Sequence, residues 1–244
     1  MSLPAFLYRR LSRFVTCEFT VAGNHRLRLR SKYDVASCAD VFCHPFYWRV
    51  ASMLNEPPKT VIDCGGHLGH FSILVEQSVA ALYGVSHTEY HIIEPNPNLM
   101  ARLRENLKDA GLGDRATVIH GLLGNRNSGV GELWFDTRSF LNASTSRNAR
   151  SRMMNIPWVD LEKFAGDSTV DILKIDIEGA ELQLIPLIAG VLARTRHLFV
   201  EFHTTDKLEL APSLQVIRDS GLVEWGAIMK HSGFLLASFS RPEC

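Results

Sequence analysis

The chain has 244 residues, 46% of them hydrophobic, and its 26 basic and 26 acidic side chains leave no formal net charge. That apolar fraction supplies a substantial core and excludes a disordered chain; the charge balance argues against a nucleic-acid partner, whose phosphate contacts draw on a basic excess. Five scattered cysteines without a C-x-x-C pair point to reduced thiols and a cytoplasmic protein, and neither a signal peptide nor an apolar run near the ~20 residues of a membrane span is visible.

Residues 1–55 are expected to form an N-terminal cap and residues 56–244 the main domain. The cap would hold a short basic amphipathic helix near 3–13 and a hairpin around Gly23-Asn24. In that hairpin Leu27 and Leu29 alternate with Arg26, Arg28 and Arg30; a further helix is expected near 44–54. Pro57-Pro58 marks the entrance to the main domain. From Thr60 onward, strands at 60–64, 89–94, 116–120, 170–176 and 197–203 alternate with helices at 69–82, 97–110, 158–165, 179–192 and 207–220. Asn96 is placed to cap the second of these helices, with Pro97 at its first position, Leu99, Leu103 and Leu107 as its buried stripe and Gly111 ending it. Such alternation implies an α/β fold, a mostly parallel sheet covered on both faces. Leu222–Met229 and Gly233–Ser240, joined at His231-Ser232-Gly233, break it with an antiparallel hairpin at the sheet edge. The whole amounts to a Rossmann-like sheet of seven strands.

Strand ends in such a sheet open onto one crevice, so Asp63, Glu94, Asp176, Glu201 and His203 are expected to share a pocket. The run Val61-Ile62-Asp63-Cys64-Gly65-Gly66-His67-Leu68-Gly69 reads D-x-G-x-x-x-G rather than the G-x-G-x-x-G of dinucleotide folds. An acid at Asp63 repels a pyrophosphate and suits a sulfonium, which favours S-adenosyl-L-methionine as cofactor over NAD. Asp63, Gly65, Gly66, His67 and Gly69 would wrap its methionine half. In the strand that ends Glu94-Pro95-Asn96, Glu94 would accept both ribose hydroxyls beside Asn96, and Gly121-Leu122-Leu123 would seat adenine. The second strong signal is Asp171–Glu181, an apolar strand that turns acidic at its end. Asp176 there would face the transferred methyl or the acceptor hydroxyl, with Glu181 as a helix N-terminal charge. Glu201 and His203 share one strand face, and His203 is the candidate general base. Tyr33, Phe46, Tyr47 and Trp48 offer aromatic surface for packing or for the acceptor, and Tyr47 is assigned to the acceptor. Asp176, Glu201 and His203 could offer oxygen and imidazole ligands to Mg²⁺; they lack a tight metal-ligand spacing, so no metal is assigned and a Mg²⁺ requirement stays open. Two other classes stay open: an NAD-dependent sugar-modifying oxidoreductase, and a non-catalytic nucleoside-binding module.

At Val61–Gly69, Glu94-Pro95-Asn96 and Ile172–Glu181, with Val200-Glu201-Phe202-His203 beside them, the chain resembles the FkbM family of S-adenosylmethionine-dependent methyltransferases. The resemblance runs from about Tyr33 to Trp225. It implies the class I methyltransferase fold and O-methylation of a hydroxyl on a sugar, polyketide or other secondary metabolite. It also implies donor binding by Asp63, Gly65 and Gly69, ribose binding by Glu94 and a reaction centre at Asp176. The family commonly places Asn where this chain has His67. Asn142-Ala143-Ser144-Thr145-Ser146 matches a small polar stretch of the family, which implies that Asn142 and Ser144 meet the acceptor or close over the donor from a polar lid loop at 136–155. The expected partner is a small-molecule or glycan hydroxyl, not a nucleic acid.

Overall fold

Runs of apolar, largely β-branched residues bounded by turn residues set the central strands, and the computed structural model shows where each lies. It describes residues 17–21, 25–29, 32–124, 126, 128–136, 139–144, 151–226, 228–231 and 233–242. The expected helix near 3–13 and the turn residues Gly23 and Asn24 lie outside these. The hairpin itself is present as β1 (Cys17–Val21) and β2 (His25–Leu29), paired antiparallel.

Next comes α1 (Lys32–Phe42), a helix the sequence pattern did not suggest. Its apolar positions Val35, Cys38, Val41 and Phe42 pack on the core, but a buried Asp34 interrupts the stripe. The helix expected near 44–54 is shorter, α2 (Arg49–Met53). Then come β3 (Thr60–Cys64), α3 (His70–Tyr83), β4 (Glu89–Glu94), α4 (Met100–Asp109) and β5 (Ala116–His120). Asn96 does not cap α4: its Oδ1 accepts the Asn98 N–H at 3.0 Å in a turn ahead of the helix.

Residues 130–157 correct the expected lid loop. They contain β6 (Val130–Asp136), β7 (Ser139–Ser144) and β8 (Ser151–Pro157), a separate antiparallel sheet ordered β7-β6-β8. Leu133 and Ile156 are buried against Leu122, with Trp158 beside them.

The chain continues through α5 (Leu161–Ala165), β9 (Val170–Ile175), α6 (Glu181–Leu184), a 3₁₀ turn at Ile185–Ile188, α7 (Ala189–Ala193), β10 (Thr195–Phe202), α8 (Lys207–Asp219), β11 (Val223–Glu224), β12 (Met229–His231) and β13 (Phe234–Ser240). The single helix expected at 179–192 is therefore broken. Pro186, at the start of the 3₁₀ turn, has no N–H to continue an α-helical ladder.

The main sheet runs β11-β13-β10-β9-β3-β4-β5, with β12 also on β13. Pairings among β10, β9, β3, β4 and β5 are parallel, and all those of β13 antiparallel. Val61, Ile92, Ile172 and Phe199 face one layer, where α3 and α4 join Leu27, Leu29, Phe46, Tyr47 and Val50. Ile62, Ile93, Leu173 and Val200 face the other, with α5, α6 and α8. Among the described residues no helix is long and apolar enough to cross a membrane.

Strand register gathers the polar residues at one edge. Cys64 pairs with both Ile93 and Ile175, and Ile175 with Val200, so Gly65, Glu94, Asp176 and Glu201 emerge side by side at the carboxyl ends of the strands.

Candidate active site

A cavity of about 460 Å³ opens at that edge, within the size range of small-molecule sites. One side of it is main chain. Gly65 has φ +80°, and a Cβ there would stand 1.6 Å from the Asp176 carbonyl oxygen, so only glycine lets β3 turn so close to β9. The N–H groups of Gly65 and Gly66 both donate to the Ile93 carbonyl at 2.9 and 3.1 Å. The Asn106 side chain donates to the Leu68 carbonyl at 3.0 Å, supporting the loop from α4.

Glu94 is buried, and each of its oxygens already accepts one backbone N–H: His67 to Oε2 at 2.8 Å and Asn96 to Oε1 at 2.7 Å. A carboxylate oxygen has two lone pairs, so Glu94, which lines the cavity, retains the capacity to accept two hydroxyls. Burial pushes its carboxyl up to about 7 against the pull of those two N–H groups. Gly121, Leu122 and Leu123 form an apolar wall nearby. A glycine turn, a buried carboxylate with lone pairs to spare and an apolar slot in one cavity fit an adenosyl ligand.

The sequence expectation is corrected at three places. Asp63 is fully buried rather than facing a donor. Its Oδ2 accepts the Ser72 hydroxyl at 2.9 Å, and Oδ1 lies 3.3 Å from Lys174 Nζ, an ion pair without hydrogen-bond alignment. Gly69 immediately precedes α3, and the space a Cβ would take faces Leu103 and Leu107 of α4. Asn96 is fully buried. None of the three is on the cavity wall.

Lys174 is the residue that sequence reasoning passed over. It sits in a buried apolar strand, donates to the Gly65 carbonyl at 3.0 Å and lies 3.2 Å from Asp176 Oδ2. Burial opposes its charge, but Asp176 and Asp63 outweigh that and hold its pKa above the usual lysine value. The signal was present: a lysine in the middle of a buried parallel strand needs partners, and Asp176 two positions on shares its face.

The opposite side of the cavity is side chain. Asp176, Glu178 and Glu201 line it with Tyr47, His44 and Asp40. The Tyr47 hydroxyl donates to Glu201 Oε2 at 3.1 Å, and its ring packs edge-on to Phe46 and Phe71 at 5.1 and 5.8 Å. Burial, then the Asp176 charge, pushes the Glu201 carboxyl up to about 7. His203 stands just behind: Nδ1 is 2.9 Å from Glu181 Oε1, and Nε2 lies 3.4 Å from Glu178 and 3.6 Å from Glu201. Burial alone would lower the His203 pKa; the bond and charge of Glu181, with the charges of Glu178 and Asp176, raise it to about 9. A pKa raised in this way favours the imidazolium form of the ring at neutral pH. Glu181 is buried and also accepts the N–H groups of Ile177 and Gly179, so it anchors the turn after β9 and is more than a solvated helix-end charge. Asp176, Glu178 and His203 offer ligand atoms within 4.8 Å of one another. Asn142 and Ser144 lie on β7, and their side chains are outside the described residues.

Residues 63–234 match the family model described as the methyltransferase FkbM domain. The chain belongs to this family, and it is an S-adenosylmethionine-dependent methyltransferase. Among solved structures it is similar to a precorrin-6y C5,15-methyltransferase from Geobacter metallireducens (14% identity, 80% of this chain and 87% of that one, TM-score 0.48). It is also similar to an O-methyltransferase family protein from Burkholderia thailandensis (14%, 87% and 60%, TM-score 0.49) and to a SAM-dependent methyltransferase from Aquifex aeolicus (10%, 83% and 92%, TM-score 0.47). A search of curated protein sequences found no match.

Proposed function

We propose that the enzyme methylates a hydroxyl of an uncharged, hydroxyl-rich small molecule or glycan, and that Glu201 removes the hydroxyl proton. The observation that carries this reading is the Glu201 carboxyl: it lines the cavity, is fixed by the Tyr47 hydroxyl, and has its pKa pushed up to about 7, close to the operating range of an efficient base. S-adenosylmethionine, when bound, supplies the activated methyl group.

The chain's residues divide the remaining work. Glu94 accepts hydrogen bonds from the ribose hydroxyls, and the Gly65-Gly66 turn brings backbone close to the donor. Lys174, beneath that turn, fixes Asp176 at the boundary between donor and acceptor. Asp176 accepts a hydrogen bond from the acceptor hydroxyl and aims its oxygen, and Glu201 takes the proton at Oε1, since Oε2 is engaged by Tyr47. The His203 imidazolium faces that oxygen at 3.6 Å and favours its charged form. Alignment of this kind is worth up to ~7–11 kcal/mol, and a positioned base adds ~10²–10⁴-fold. A wall of carboxylates repels phosphate, which supports an acceptor free of it.

The test is transfer of labelled methyl to a panel of neutral polyols, amines and phosphorylated metabolites, with the product position read by NMR. The expected label is on oxygen, with kcat rising as pH climbs through about 7. Label on nitrogen or carbon, or a requirement for phosphate, would overturn the proposal.

A further inference from the structure

Ser37 belongs to none of the motifs in the sequence, yet its hydroxyl joins three segments of the donor side. Oγ lies 2.9 Å from Nδ1 of His67, in the glycine loop, and 2.9 Å from Nδ1 of His70, the first residue of α3. A hydroxyl has a single hydrogen, so it donates to one ring and accepts from the other. The ring that receives the hydrogen must be unprotonated at Nδ1. Both meet that need at physiological pH: burial lowers His67 to about 4 and His70 to about 3, although Asp176, Asp34 and Asp63 pull His67 the other way.

The bridge leads directly to the donor. His67 is a non-glycine residue at φ 49°, a conformation most side chains avoid, so it needs anchoring. The same residue's backbone N–H holds Glu94 Oε2 at 2.8 Å. His70 Nε2 has no hydrogen-bond partner among the described residues, which leaves Ser37 as the ring's hydrogen-bonded anchor. Ser37 itself lines the cavity together with Ala36, Asp40 and Val41 of α1.

We propose that Ser37 is a positioning residue for the methyl donor: through His67 it sets the glycine loop and the Glu94 carboxylate, and it couples α1 to donor binding. This rests on the reading of Glu94 as the ribose-binding group. Where the family resemblance leads one to expect Asn at position 67, this chain carries a histidine, and the structure gives that histidine a partner on another helix.

The test uses the full-length protein with Ser37→Ala, Ser37→Thr and Ser37→Val. Thr and Val share one shape and differ only in the hydroxyl, so they separate hydrogen bonding from packing. Donor and demethylated product are titrated by calorimetry, and hydrogen exchange of residues 32–42 is followed with and without them. Wild type and Ser37→Thr are expected to bind alike and to show donor-induced protection of α1. Ser37→Ala and Ser37→Val, which lose the part-buried bonds to both His67 and His70, should bind about tenfold more weakly and should lose that protection. Equal affinity and protection in the Thr and Val variants would overturn the inference and leave the donor reading intact. Wild-type protein that binds no donor would refute the donor reading itself, and the inference with it.

Discussion

On the side of the cavity proposed to hold the donor, the contacts come from main chain: a glycine turn, carbonyls of Gly65 and Leu68, and two N–H groups that fix Glu94. On the side proposed for the acceptor they come from side chains of distant segments, with Tyr47 from the N-terminal part reaching Glu201 on β10 and His203 facing Glu178 and Glu181. A backbone-built half admits few sequences, because a single Cβ collides with its neighbours. A side-chain-built half is free to change acceptor while the fold stays the same. The donor side should therefore respond to mutation through binding and stability, and the acceptor side through turnover and pH dependence.

The largest effect is expected at Gly65. Ala there places a Cβ 1.6 Å from the Asp176 carbonyl oxygen at φ +80°, so donor binding should vanish and stability fall by ~2–4 kcal/mol, read by calorimetry and thermal melting. Retained donor affinity would show that the turn is not part of the site. Glu201→Gln should lower kcat ~10²–10⁴-fold and abolish its rise through about pH 7, with donor affinity unchanged; a retained rise would assign the proton to another group. Glu94→Gln should weaken donor binding ~10–100-fold by losing charge-assisted hydrogen bonds. It should also flatten the gain in donor affinity expected as pH rises through about 7, where this carboxyl ionises.

The smallest effect is assigned to His203. Its pKa in the fold, about 9, exceeds the ordinary 6.5, so the stability it adds with Glu181 is complete below about 6.5 and is lost as pH rises through about 9. Wild type should melt a few degrees lower at pH 9 than at pH 6.5, a drop that His203→Gln reduces. Loss of all activity in that variant, with normal folding, would restore the ring as the base.

Legibility in the sequence divides along the same line. The strands at 60–64, 89–94 and 116–120 are where the apolar runs place them, and their carboxyl ends converge as the parallel order requires. Gly65, Gly66, Glu94, Gly121, Leu122, Asp176, Glu201 and Tyr47 all line the cavity. What period and composition did not disclose was direction: Asp63, on β3, turns to Ser72 and Lys174 instead of the cavity. Nor did they disclose protonation, since the His203 charge depends on Glu178 and Glu181 in the turn after β9. The β6–β8 sheet went unseen because the stretch at 136–155 reads as a polar loop, and α1 because the buried Asp34 interrupts its apolar stripe; with α1 went Ser37.

In the proposed arrangement the glycine turn and Glu94 hold the nucleoside of the methyl donor while Asp176 and Glu201 face the acceptor. A crystal structure with the demethylated donor product bound is the decisive experiment. The ribose hydroxyls are predicted within hydrogen-bond distance of Glu94, with the sulfur pointing toward Asp176. A nucleoside seated elsewhere, or its sulfur turned away from Asp176 and Glu201, would contradict the account.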